Sequence, residues 1–249
     1  MQRRLYGLSV LVMVVVGCDD PTAVQPVVTG QVALYDELGT LLPFADQVQV
    51  AALSPSSIRT AETVTDEQGR FELELPEAEV GPLLFSRDGF GDMFRFDVGT
   101  ETESIHVDLF AHSSAAVTNV DAQAESCGTV HCLRLALEVE GFFGPGTTRR
   151  VFRMYLSTDP GVSSLDYQLT DLLFVPNDQT GLVQTGPNAT FELDGLHGIL
   201  GSFPTGTEVY LVIHGATENL TSSYQAPDTG LEIFTDLSRV SAGTSFIIP

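Results

Sequence analysis

Lysine and tryptophan are absent from this sequence, cysteine occurs three times, and all 11 basic residues are arginines set against 33 acids. Each shortage excludes something. Without lysine the chain can form no P-loop, no Schiff base and no Ser-Lys dyad. The patterns H-E-x-x-H and G-x-S-x-G are missing as well. Five histidines, His106, His112, His131, His197 and His214, fall into no metal-ligand spacing. No enzyme activity, cofactor or metal is therefore expected. A formal charge of −22 repels a phosphate backbone and argues against nucleic acid as a partner. GC-rich coding would explain arginine in place of lysine, but not the acid excess. A saline habitat would explain the excess, because salt screens repulsion within a dense carboxylate surface. Sustained helical periodicity is missing too, and the one long apolar run lies at the N-terminus.

That run follows Met1-Gln2-Arg3-Arg4 and covers Leu5 to Val16, interrupted only by Tyr6, Gly7 and Ser9. It falls short of the roughly 20 apolar residues that a membrane-crossing helix needs. Its length and basic start fit the hydrophobic region of a secretory signal. No convincing small-x-small cleavage site closes it. Instead Val15-Val16-Gly17-Cys18 resembles the bacterial lipobox. The resemblance implies a lipoprotein in which Cys18 is alkylated by diacylglycerol, residues 1–17 are removed and the new amine is acylated. Each buried CH₂ of such an anchor contributes about 0.8 kcal/mol. The alternative is a plain secreted protein in which Cys18 is incidental. Loss of Arg3 and Arg4 with the signal deepens the charge from −22 to −24. Acids beside a lipidated cysteine accompany inner-membrane retention in some bacteria and surface export in others, so Asp19-Asp20 leaves the membrane face open. The expected location is the cell envelope, with the outer membrane preferred. Residues 18–26, polar and containing Pro21 and Pro26, read as a tether.

Beyond the tether, short segments of period two or of β-branched and aromatic residues alternate with Gly, Pro, Asp and Asn clusters, which predicts an all-β protein of two β-sandwich domains in tandem. The first domain is placed at 27–113, with strands near 28–35, 47–53, 58–65, 70–75, 83–87, 93–98 and 104–110. In "TVTDEQGRFELELP" (63–76), Asp66 to Gly69 form a turn in which Gly69 takes positive φ. Phe71, Leu73 and Leu75 then alternate with Glu72 and Glu74, giving an apolar and a carboxylate face. The second domain is placed at 117–249, with strands near 133–143, 150–157, 167–175, 190–193, 208–214, 231–234 and 245–248. "SSAAVTNVDAQ" (113–123) reads as the connection, open to protease.

"VTGQV" (28–32), "LPFADQVQVAAL" (42–53), "TVTDEQGRFELELP" (63–76) and "FSRDGF" (85–90) stand in the order found in prealbumin-like modules, and the first domain resembles their carboxypeptidase-regulatory-like and collagen-adhesin B-type members. The resemblance implies a sandwich of seven strands used as a stalk, spacer or adhesion unit. The internal Lys–Asn cross-link of some adhesin repeats cannot form here, for want of lysine. "FELDGLHGILGSFPTGTEVYLVIHGAT" (191–217) resembles the late hairpin of fibronectin type III domains, within a broader Ig-like pattern. It departs from that pattern in having Val209 where a tyrosine is usual, with Tyr210 one residue late.

With Cys18 lipidated, Cys127 and Cys132 of "CGTVHC" remain, an even number in an oxidising compartment, so a disulfide is expected. A metal site of Cys127, His131 and Cys132 and a pair of unbridged thiols are the alternatives. Asn188 and Asn219 stand in N-x-T patterns that are not expected to be modified. Asp66, Glu67, Asp88 and Asp92 are loop carboxylates of the kind calcium selects, but they follow no calcium-loop spacing. Arg87-Asp88-Gly89 reads as a turn. The leading expectation is a lipid-anchored envelope protein with a structural, spacer or adhesion role, partnered by the membrane and by an envelope protein or polysaccharide. A carbohydrate-binding lipoprotein is the first alternative, weakened by the missing tryptophan. A hydrolase with an unrecognised site is the second.

Overall fold

A computed structural model describes residues 26–76, 81–96, 98–99, 104–140, 149–176, 190–192, 200–217 and 222–249. The fold is all-β. Its first part comprises β1 (Val27–Tyr35), β2 (Gln49–Leu53), β3 (Arg59–Val64), β4 (Arg70–Glu74), β5 (Leu83–Ser86), β6 (Met93–Arg95) and β7 (Ile105–Phe110). These strands form a three-stranded sheet ordered β4-β1-β7 and a four-stranded sheet ordered β3-β2-β5-β6. β1 runs antiparallel to β4 and parallel to β7. The alternation of β1 and β4 turns Val28, Val32, Leu34, Phe71 and Leu73 into the space between the sheets, where they meet Val50, Leu83 and Phe85. Gly69 closes the turn before β4 with φ +75°, as the sequence predicts.

The second part comprises β8 (Ala116–Cys127), β9 (Val130–Glu140), β10 (Arg149–Ser157), β11 (Leu169–Pro176), β12 (Thr190–Glu192), β13 (Glu208–Ala216), β14 (Ser223–Gln225), β15 (Glu232–Phe234) and β16 (Ser241–Ile247). Sheet β12-β9-β8 packs on sheet β11-β10-β13-β16, and β14 and β15 form a separate hairpin. A second core fills the space between these sheets, built from Leu133, Leu135, Phe152, Met154, Val209, Leu211 and neighbours.

Two sequence readings need correction. Residues 113–123 are not an open connection. Ser113 and Ala115 are buried, and from Ala116 the chain is strand β8, paired with β9 along its length. The pairing shifts register between Val117 and Asn119, which puts Val117 and Val120 on one buried face although they lie three residues apart. The segment 191–217 is not a hairpin either, because β12 pairs with β9 in one sheet while β13 pairs with β10 and β16 in the other. Val209 fills the core, and the Tyr210 hydroxyl donates to Glu208 Oε2 at 3.0 Å.

β10 departs from simple alternation: Arg150 to Ser157 are all buried. Phe152, Met154 and Leu156 face the core between the sheets. Val151 and Tyr155 face the other way and join a third apolar cluster with Tyr167, Ala216, Phe234 and Leu237. A strand covered on both faces reads as a continuous apolar run. The cover is the segment from β14 to residue 238.

Cys127 and Cys132 are joined by a disulfide across the tip of the β8–β9 hairpin. The Cys127–Val130 pairing already brings the two strands together there. Replacing both cysteines with serine should therefore lower stability by at most about 2 kcal/mol, the chain-entropy value for so short a loop. Thermal unfolding of the double variant checks this, and a larger loss would mean that the bridge holds more than the tip.

Candidate functional site

The most heavily built region lies where the second sandwich meets the first. Residues 235–239 run between the end of β13 and the end of β7 and bond to both. On one side, the Ser238 N–H donates to the Gly215 carbonyl (2.8 Å) and the Gly215 N–H to Ser238 Oγ (2.9 Å). Asp236 Oδ2 accepts the Thr217 N–H at 3.0 Å and the Thr217 hydroxyl. On the other side, the Ser113 N–H donates to the Asp236 carbonyl (3.0 Å), and His112 Nδ1 lies 3.0 Å from the Leu237 carbonyl. Gly91 sits so close that a Cβ there would clash with the Thr235 backbone carbonyl and with the Thr235 Cβ. Glu37, just past β1, accepts the Ser114 N–H and hydroxyl (2.7 and 2.8 Å) and pairs with Arg150 at 3.5 Å.

Beneath this segment lies a polar group unusual for a sheet face. Arg153 is 7% exposed and stacks on Phe234, its guanidinium carbon 3.3 Å from the ring centroid. Burial lowers its basicity, and attraction to Tyr155, Asp236 and Glu232 opposes the shift. Burial also raises the Asp236 carboxyl above its ordinary range and lowers His214. Tyr155 is pushed up by burial too. Tyr167 holds the hairpin from below, its hydroxyl donating to the Glu232 carbonyl at 2.7 Å. On the outer side Tyr224 of β14 rests on Phe94 and Phe96 of the first sandwich, with ring centroids 5.2 and 5.8 Å apart.

Two clefts flank this junction. The larger, about 710 Å³, lies between β6, the start of β7 and the β14–β15 hairpin, and the three aromatic rings occupy much of its wall. The smaller, about 430 Å³, is lined by Gln47, Gln49, Arg87, Asp92, His112, Arg239 and their neighbours. Its geometry is specific. Gln47 holds a left-handed backbone, φ 60°, which costs a non-glycine residue about 1 kcal/mol or more. Buried Thr65 holds it there. The Thr65 hydroxyl donates to the Ala45 carbonyl (2.5 Å) and accepts the Val48 N–H (3.0 Å), while its carbonyl accepts the Gln47 N–H (3.2 Å). Arg87 spans from Asp46 (3.8 Å) to the Phe90 ring (5.6 Å). Arg239, from the second sandwich, reaches Asp88 of the first at 3.4 Å.

The sequence-predicted site residues fall elsewhere. Cys18, Asn188, Asn219 and His197 lie outside the described residues. Cys127 and Cys132 occupy the far tip of the second sandwich. Arg87-Asp88-Gly89 is a turn, with the Phe90 N–H donating to the Arg87 carbonyl at 3.1 Å. Asp66 Oδ1 is engaged by the N–H groups of Gln68 and Arg70. Among the described residues no cluster of three or more His, Cys, Asp or Glu is arranged to hold a metal. Sequence reasoning missed the junction cleft. Its only local signal was the polar pair Gln47 and Gln49 around buried Val48, which an ordinary edge of a strand also shows.

No family model and no curated protein matches the chain. Solved structures similar to it include a candidate carbohydrate-binding protein from Bacteroides uniformis, at 10% identity and TM-score 0.29, over 87% of this chain and 98% of that one. A DUF3823 family protein from Bacteroides ovatus is similar at 13% identity and TM-score 0.29, covering 90% and 100% of the two chains. The major pilin subunit of Bacillus cereus is similar at 9% identity and TM-score 0.27, covering 89% and 69%.

Proposed function

We propose that this chain is a lipid-anchored, non-catalytic protein of the cell envelope that acts as a spacer or adhesion unit. In this reading the first module is prealbumin-like and the second Ig-like, of the fibronectin type III kind. The arrangement of a three-stranded sheet against a four-stranded one in each sandwich supports both. Its body meets an envelope protein or polysaccharide, and its membrane contact is the lipid on Cys18.

The observation that carries the reading is the braced junction together with the placement of the two ends. β1 starts at Val27, next to the tether, and delivers the chain about 26 Å further on to Asp36 and Glu37 at the junction. β8 leaves the junction at Ala116 and reaches the disulfide tip after a further run of about 36 Å. A tether at one end and a cross-linked tip at the other, with rigid bonding between, suit a part that holds something away from a surface.

The anchor is tested by a single thiol. Expressed in a bacterial host, the wild-type chain should take up labelled palmitate and sediment with membranes, whereas Cys18→Ala should remain unlabelled. Equal labelling of both would remove the lipid from the reading and leave a secreted spacer.

A further inference from the structure

We propose that the smaller junction cleft binds a neutral hexose unit of a glycan, held by hydrogen bonds from Gln47, Gln49, Asp92, His112 and Arg239. The proposal deepens the adhesion part of the reading above and is independent of the lipid.

The chemistry of the wall selects the ligand. Its charges are mixed: Arg87 lies 3.8 Å from Asp46 and Arg239 lies 3.4 Å from Asp88, while Asp92 adds a further carboxylate. A strongly charged ligand of either sign would meet like charge in this wall. Hydroxyl groups carry no charge, and each both donates and accepts. The cleft offers both roles within one small volume: amide and guanidinium N–H groups from Gln47, Gln49 and Arg239, and acceptors from Asp92 and the Gln47 amide oxygen. His112 adds an oriented ring, since its Nδ1 is tied to the Leu237 carbonyl and Nε2 is the nitrogen left for a ligand. At about 430 Å³ the space falls within the range of small-molecule pockets, roughly 300–1,000 Å³. An extended peptide is disfavoured, because β2, which supplies Gln49, is flanked by β3 and β5 and presents no open ladder.

The backbone supplies an independent sign. A turn with no other demand would place glycine or asparagine at φ 60°, yet position 47 is glutamine and its side chain lines the cleft. Strain of this kind clusters at ligand-contacting residues. Both sandwiches contribute to the wall, so the site exists only in the docked arrangement.

The full chain, held in a detergent without sugar headgroups, is applied to an array of neutral and acidic oligosaccharides, and the best ligand is then titrated. Retention of neutral hexose-containing glycans is expected. Gln47→Gly, Gln49→Ala and Asp92→Asn should each weaken that binding by about tenfold, the scale of one lost hydrogen bond to a polar ligand. Gln47→Gly is the decisive variant, because glycine relieves the strained backbone and keeps the fold at least as stable. Its loss of binding cannot then be put down to unfolding. Failure to retain any neutral glycan, retention of acidic glycans alone, or equal binding by the three variants would overturn the proposal. None of these outcomes affects the palmitate result.

Discussion

Gly91→Ala should separate the unfolding of this protein into two transitions and weaken the junction by about 3 kcal/mol. Gly91 lies against Thr235, and the atoms a new Cβ would strike are the Thr235 backbone carbonyl and its Cβ. Neither is the far end of a flexible side chain. Residues 235–239 would have to move away from the first sandwich, and the Ser113 N–H to Asp236 carbonyl bond and the His112 to Leu237 bond would go with them. The neighbouring Gly89 provides the contrast. It has φ +84° and open space around it, so Gly89→Ala meets only conformational strain of about 1–2 kcal/mol and leaves the docking in place. Calorimetry distinguishes the two, with a single transition expected for wild type and Gly89→Ala. Limited proteolysis gives a second reading. Wild type should resist cutting between 113 and 123, where β8 is paired and partly buried, and Gly91→Ala should become sensitive around 235–239. A single unshifted transition for Gly91→Ala would mean that the two sandwiches are not energetically coupled.

Such a junction was hardly visible in the sequence, although most of the strands were. The strands of the first sandwich announced themselves by alternation, as in β1 and β4, or by short apolar runs, as in β2 and β5, set between turn clusters. Phe71, Leu73 and Leu75 are buried, and Glu72 and Glu74 exposed, as their spacing requires. β8 escaped because its register shift breaks the period of two, and because several of its inward positions are alanine, too small to stand out. β10 was found, but its burial on both faces was not. Its residues on the second face, Val151, Arg153 and Tyr155, look like an exposed mixed face until the β14–β15 hairpin is laid over them. The hairpin has no periodicity of its own. What holds it is long-range: Tyr167 to Glu232, Thr217 to Asp236, and Tyr224 on Phe94. Pairings across that many residues leave no trace in local spacing. The cleft is hidden for the same reason, since Gln47 and Arg239 come together only after the sandwiches dock.

Asp236→Ala should be the most costly single change among the buried polar residues, at about 3–5 kcal/mol. The carboxylate accepts the Thr217 N–H and hydroxyl, and it supplies nearby negative charge to Arg153, itself 7% exposed. Alanine leaves the Thr217 groups without that acceptor and the guanidinium with less compensation in a dry environment. Asp236→Asn keeps an oxygen toward Thr217 and removes only the charge, which isolates a pH effect. Burial, partly offset by the Thr217 bonds and by Arg153, raises the Asp236 carboxyl above its ordinary 3.8. The folded state therefore holds this proton more tightly than the unfolded chain does. The stability contributed by that difference is fully present below the unfolded value and is lost as pH rises through the folded one. Wild type should then lose ground relative to Asp236→Asn as pH is raised from just below 4 toward 7, with the gap constant above the folded value. Denaturant melts of the two proteins across that range measure it. A gap that stays flat, or one that moves in favour of wild type as pH rises, would show that Thr217 and Arg153 outweigh burial at this carboxylate. The core beneath the hairpin would then be held by the attraction between Asp236 and Arg153, and Asp236→Asn should prove nearly as damaging as alanine.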